Sequence, residues 1–234
     1  MTGSEGRAEG RASWPGRLPA YAGILYLAAW ITGLAVWPSN LALNATSTEV
    51  AAAYRSQAGP AATQYLLVEG LAGVLLGVVL AAAVLSADGG RLVVRARPIA
   101  VLGIVAVAVS LTQCVLGLLL ISAAQHGDIG QAGSLSALVT RLDGVKMLAL
   151  AGAAAYLAAG HPGRGGPWRL RLAAGLAAIT LLLSGCTYLL LANSAAWTVY
   201  LSGPLLLVWI TATGLWRSAH DSGRRTRARA AAAS

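Results

Sequence analysis

The stretch Ser134–Gly160, SLSALVTRLDGVKMLALAGAAAYLAAG, decides how the chain is read. It is long enough to cross a membrane and apolar in its second half, yet its first half carries Arg141, Asp143 and Lys146. A charge at the bilayer centre costs roughly 2.5–3.5 kcal/mol on insertion scales, so three of them need partners or water. Asp143 and Lys146, three residues apart, share a helix face, whereas Arg141 points away from Asp143 and needs another partner. The remaining carboxylate at comparable depth is Glu69, in the run Ala61–Leu85. The expectation is a bundle of membrane helices built around a polar pocket.

Composition agrees. Of 234 residues, 57% are hydrophobic and 11% charged, where soluble domains carry about 25% charged residues. The formal net charge of +9 falls on short loops and tails between apolar runs. It therefore reads as topology signal and contact with membrane lipid, not as a nucleic-acid surface. Cys114 and Cys186 both sit in apolar runs, with no CxxC and no His/Cys cluster at zinc spacing, and read as small buried hydrophobes. No metal or other cofactor is called for by any motif.

The apolar runs give six spans, 19–38, 61–85, 99–122, 134–160, 172–193 and 197–216, framed by basic tails at 1–18 and 217–234 that read as disordered. The fold class expected is thus an all-α membrane protein, a bundle of six transmembrane helices. Lys and Arg concentrate in the tails and in the second and fourth loops, which places both termini in the cytoplasm. Within the first loop, Thr46-Ser-Thr-Glu49 is a capping box. It starts a short surface helix that Gly59-Pro60 should end. Ala123–Gly133 reads as a polar loop.

Counting helical turns inward from the apolar edges puts Glu69, Ser110, Gln113, Asp143, Lys146, Ser184, Thr187 and Ser202 in the outer half of the bilayer. Glu69 and Asp143 balance Arg141 and Lys146, and Gln113 supports them. Tyr26, Trp30, Tyr65, Tyr188, Tyr200 and Trp209 are candidates to line the pocket. Ionisable groups inside membrane spans are functional hypotheses by default.

Two resemblances bear on this reading. The basic tail, Tyr21-Ala-Gly-Ile-Leu-Tyr-Leu in the first span and Leu111-Thr-Gln113-Cys-Val-Leu-Gly117 in the third resemble a bacterial family of six-helix membrane proteins of unknown function, over most of Arg17–Trp216. That likeness implies the bacterial cytoplasmic membrane. In size and helical character the chain is also similar to small integral-membrane terpene cyclases, which protonate an alkene or epoxide of a prenyl chain with intramembrane carboxyl groups. That resemblance implies a lipidic prenyl substrate, Glu69 as catalytic acid and Asp143 as the second carboxyl, with aromatic faces to stabilise carbocations. The competing expectations are a small ion-coupled transporter using the same charges, and an accessory subunit whose charges recruit a partner helix.

Overall fold

Helices that are apolar on every side have to satisfy their backbone internally and find neighbours through shape, and the chain solves this with a ring. The computed structural model describes residues 17–37, 41–84, 97–159 and 167–232. Among them the helices are α1 (Leu18–Val36), α2 (Ser47–Ser56), α3 (Ala58–Val84), α4 (Arg97–His126), α5 (Ile129–Ala158), α6 (Trp168–Leu190) and α7 (Val199–Ala232), with a 3₁₀ turn at Asn193–Thr198. The long helices pack in chain order, α1 on α3, α3 on α4, α4 on α5, α5 on α6, α6 on α7, and α7 back on α1. Five of them, all but α5, are long and apolar enough to cross a membrane, and the chain is an integral membrane protein on that ground. The outward faces are apolar, with Ile104, Ile179, Val101 and Ile31 all more than half exposed, as lipid-facing positions require.

Several boundaries differ from the sequence reading. The polar loop expected at Ala123–Gly133 shrinks to the turn Gly127-Asp128. Gly127 takes φ +82°, a conformation that suits a glycine after a helix end, and Asp128 accepts from the Gln131 N–H at 2.9 Å to cap α5. Gly59-Pro60 does not end a helix; it lies in the first turn of α3, where a proline's missing N–H costs nothing. The C-terminal stretch after Trp216, expected to be disordered, continues α7 to Ala232, because it is rich in Ala and Arg, strong helix formers, and contains no proline. The tail at 1–16 and the basic residues Arg91, Arg95 and Arg164 lie outside the described residues.

The capping box forms as written. The Glu49 carboxylate accepts from the Thr46 N–H at 2.8 Å, and the Thr46 hydroxyl accepts from the Glu49 N–H at 3.3 Å. Its helix does not lie apart on a surface. Val50, Ala51 and Tyr54 are buried in a cluster with Trp37, Tyr65, Leu120, Ala124 and Val139, and the Arg55 Nε donates to the Ala124 carbonyl at 2.9 Å. So α2 plugs one end of the ring over α4 and α5.

Glycines set how closely the helices approach. A Cβ on Gly144 would come 2.8 Å from the Gly185 carbonyl oxygen and 3.0 Å from the Leu189 nitrogen, backbone atoms that cannot move aside. Gly144→Ala should cost about 1–3 kcal/mol by overpacking, read as reduced thermal stability in detergent. Gly203→Ala, with open space around it, should cost nothing.

The Glu49 carboxyl is held below the usual carboxylate range by the hydrogen bonds from Thr46. Its folded form binds a proton more weakly than its unfolded form, so the cap stabilises α2 fully above about pH 4.3. That contribution is lost as pH falls through the lower folded value. Amide protection in α2, corrected for intrinsic exchange, should drop in that acid window, and Glu49→Gln should remove the drop.

Candidate functional site

The charged stretch resolves into a triad. Lys146, on α5, donates to both carboxylate oxygens of Glu69 at 2.8 Å and makes an ion pair with Asp143 Oδ1, one turn back on the same helix, at 2.7 Å. Ser110 on α4 donates its hydroxyl to Glu69 Oε2 at 2.7 Å. Gln113, one turn further along α4, donates its amide to the Val139 carbonyl at 3.1 Å and, at 3.4 Å, to Asp143 Oδ1. The ammonium thus joins α5 to α3, and Ser110 ties α4 to the same carboxylate.

Local backbone geometry makes the meeting possible. Tyr65–Leu71 is a π-helical segment within α3, a widened turn that is rare and often found at functional sites. It carries Glu69. One turn on, a Cβ at Gly73 would stand 2.9 Å from the Ser110 Cβ, so the missing side chain lets α4 come close enough for the serine to reach the glutamate. Gly117 does the same for the Tyr65 ring, whose atoms occupy the space of its absent Cβ. Tyr65 then shares a hydrogen bond of 3.0 Å with the hydroxyl of Tyr54 on α2. Burial pushes the Tyr54 phenol up, so that hydroxyl stays protonated through the physiological range. The Trp37 ring meets Tyr54 edge-on at 4.8 Å, which closes the plug one turn above Asp143.

The three charged side chains are unequally shielded. Lys146 is 6% exposed and Glu69 11%, but Asp143 is 22%. Glu69 has donors on both oxygens, whereas Asp143 Oδ2 has no partner among the described residues. Gln113 is 1% exposed, and its Oε1 accepts from no donor there either. A cavity of about 10 Å³ touches Lys146, Ser110, Tyr26, Trp30, Gly73 and Leu150, room for about one water.

The structure therefore brings together Glu69, Asp143, Lys146 and Gln113, places Trp30 on their cavity and sets Tyr65 beside them in the plug. Tyr188 is half-buried against the neighbouring core. Other expectations are corrected. Arg141 is exposed on the outward face of α5, between Leu138 and Val145, and joins no ion pair among the described residues; helical rotation turns it away from the face that carries Asp143 and Lys146. Tyr200 is 80% exposed and is not on the cavity beside the triad. Trp209 is fully buried, but in a cleft at the other end of the bundle with Leu170 and Arg171. Ser184, Thr198 and Ser202 form their own knot, in which the Ser184 hydroxyl lies 2.9 Å from Ser202 Oγ and 3.1 Å from Thr198 Oγ1. Cys186 is exposed, not buried. The triad is also deeper than the count from apolar edges gave. Glu69, Ser110 and Lys146 lie near the middles of their helices, because α4 and α5 run past those edges to His126 and Ile129.

Ser110 is the contact that sequence reasoning passed over as a site residue. Its signal was weak, a serine seven residues after Gly103 and three before Gln113 in a mostly apolar helix. The π segment left no local signal. No family model, no curated protein and no solved structure matches the chain, and its function is argued from geometry alone.

Removing the lysine while leaving both carboxylates strands two buried acids. Lys146→Met should destabilise the protein by about 3–5 kcal/mol, measured by unfolding in detergent. Adding Glu69→Gln and Asp143→Asn to that variant should recover most of the loss. A stable Lys146→Met protein would show that the three groups are not energetically linked.

Proposed function

We propose that the chain is a small ion-coupled membrane carrier, with α5 as a sixth span and the Glu69–Lys146–Asp143 triad as its proton-exchanging centre. The observation that carries this reading is one ammonium shared by two buried carboxylates near the middle of the helices. With all three ionised the site holds one negative charge in excess, which a low-dielectric interior penalises heavily. A proton relieves it. Asp143 is the carboxylate an incoming proton can reach, being the more exposed and having an oxygen without a partner among the described residues.

The lysine then becomes a switch. With the proton on Asp143, Lys146 belongs to Glu69 and ties α5 to α3. With the proton on Glu69, Lys146 belongs to Asp143 on its own helix and that tie is released. Proton position thus sets whether two walls of the ring are joined, which is what coupling an ion to a conformational change requires. Both termini are assigned to the cytoplasm on the Lys/Arg bias of the loops, and the membrane to the bacterial cytoplasmic membrane on the resemblance to the bacterial six-helix family. The plug formed by α2 then lies on the outer side.

Prenyl cyclisation uses the same carboxylates but asks for more. Its acid needs a proton to give, and both oxygens of Glu69 already accept from donors. Its substrate needs a chamber, and the space beside the triad suits a single water. A second reading, the accessory subunit, is favoured by one observation, the outward Arg141, which a carboxylate on a partner helix would neutralise.

The test is proton movement in proteoliposomes under an imposed pH gradient, with the membrane potential clamped and an internal dye as reporter. Wild-type protein should carry protons across, and Glu69→Gln and Asp143→Asn should each abolish the flux while remaining folded. Equal flux in all three overturns the carrier reading. So does a cyclised product from a farnesyl or geranylgeranyl substrate that wild type makes and Glu69→Gln does not.

A further inference from the structure

Gln113 is a buried side chain whose hydrogen bonding is unfinished. Its amide is oriented by α5. The Val139 carbonyl accepts from Nε2 at 3.1 Å, and a carbonyl can accept only from the NH₂ end of an amide, so the two ends of this one are not interchangeable. The oxygen end, Oε1, is left with no donor among the described residues, in a residue 1% exposed. A buried acceptor without a donor is costly and calls for an explanation. Water at the triad does not supply one, because Gln113 is not on the cavity beside Lys146.

The neighbour with the matching gap is Asp143. Its Oδ1 meets the ammonium of Lys146 at 2.7 Å, while Oδ2 has no partner among the described residues. Gln113 Nε2 stands 3.4 Å from Oδ1, whereas an N–H bond to a charged group normally closes to about 2.7–2.9 Å. The amide therefore grips the carboxylate weakly. The two unmatched atoms, Gln113 Oε1 and Asp143 Oδ2, are both acceptors, so only a donor set between them satisfies both. A proton is such a donor and needs no cavity. A hard metal cation gathers roughly six oxygens, and here two stand beside an ammonium.

We infer that Gln113 is the positioning residue for the proton on Asp143, the two side chains closing into an acid–amide pair when that proton arrives. The proton, taken from water, forms the Oδ2–H bond. That hydroxyl donates to Gln113 Oε1, and Nε2 keeps donating to Oδ1. The inference rests on Asp143 as the protonating member of the proposed carrier and adds what selects it. Glu69 has no such partner, since its oxygens accept from Ser110 and Lys146. The titratable groups acting on Asp143 are Lys146 on its own helix, Glu69 and Tyr65 from α3, Tyr26 from α1 and Tyr188 from α6. Protonation then fastens α4 to α5 while Lys146 is left to Glu69.

Infrared difference spectra of the full chain in lipid vesicles, taken on acidification with glutamine amide and aspartate carboxyl carbons isotope-labelled, test the pair. In wild type one aspartic acid band should appear and one glutamine carbonyl band should shift with it over the same pH range. Gln113→Met should move the acid band to higher wavenumber, because the acid loses both hydrogen bonds. Should that variant not fold, Asp143→Asn answers instead, since it should abolish the glutamine shift. An Asp143 band that rises with no glutamine response, or that Gln113→Met leaves in place, overturns the inference. So does a glutamine shift driven by millimolar sodium at fixed pH, which assigns the two oxygens to a metal ion. Proton binding is read here without transport. Paired bands without flux in proteoliposomes sink the carrier and leave the pair standing, and flux without paired bands does the reverse.

Discussion

An ammonium surrounded by hydrocarbon has to be paired, and the way Lys146 is paired organises the rest of the bundle. Its nitrogen lies within 2.8 Å of carboxylates on two different stretches of chain, so α3 and α5 are held in one register. Such pairs contribute little net stability compared with apolar packing, because desolvating the charges offsets most of their attraction. What they supply is uniqueness. Uniformly apolar helices can rotate and slide against one another at small cost, and a single charged contact in the centre removes that freedom.

The bundle bends its own backbone to make the contact. The π segment at Tyr65–Leu71 and the small residues Gly73 and Gly117 bring α3 against α4, with Ser110 and Tyr65 filling the gained space. These features serve two neighbouring tasks. Glu69 gains a second donor in Ser110, and Tyr65 is aimed at Tyr54 so that α2 is fastened above the triad. The arrangement is asymmetric along the bundle axis. One end is closed by aromatic rings and a capped helix. The middle holds an exposed-to-buried gradient from Asp143 to Lys146. The opposite end carries arginines that close the helices α3 and α5. An asymmetry of this kind suits a protein that must distinguish one side of a membrane from the other.

Local chemistry was legible residue by residue. The apolar runs, the capping box at Thr46–Glu49 and the Asp143–Lys146 pair each depend on neighbours within a turn or two, and each formed as their spacing dictates. Glu69 could be picked out because an acid in an apolar run has few alternatives to pairing. Arg141 could not be assigned by the same logic. Balancing formal charges suggested a quartet, but balance says nothing about direction, and two residues of helix separate facing inward from facing out.

By itself, then, the sequence determined that the chain enters a membrane as long helices and that Glu69, Asp143 and Lys146 need one another. Both follow from the free energy of transferring single residues and turns out of water, which is a local quantity. Only the tertiary structure decided that Trp30 touches the site while Tyr200 and Trp209 do not, that α2 closes one end, and that Ser110 is the second donor to Glu69. The reason is that helices apolar all round carry no stripe to mark the inward face, so their rotation is set by glycine contacts and by one buried lysine, which exist only once the helices have met.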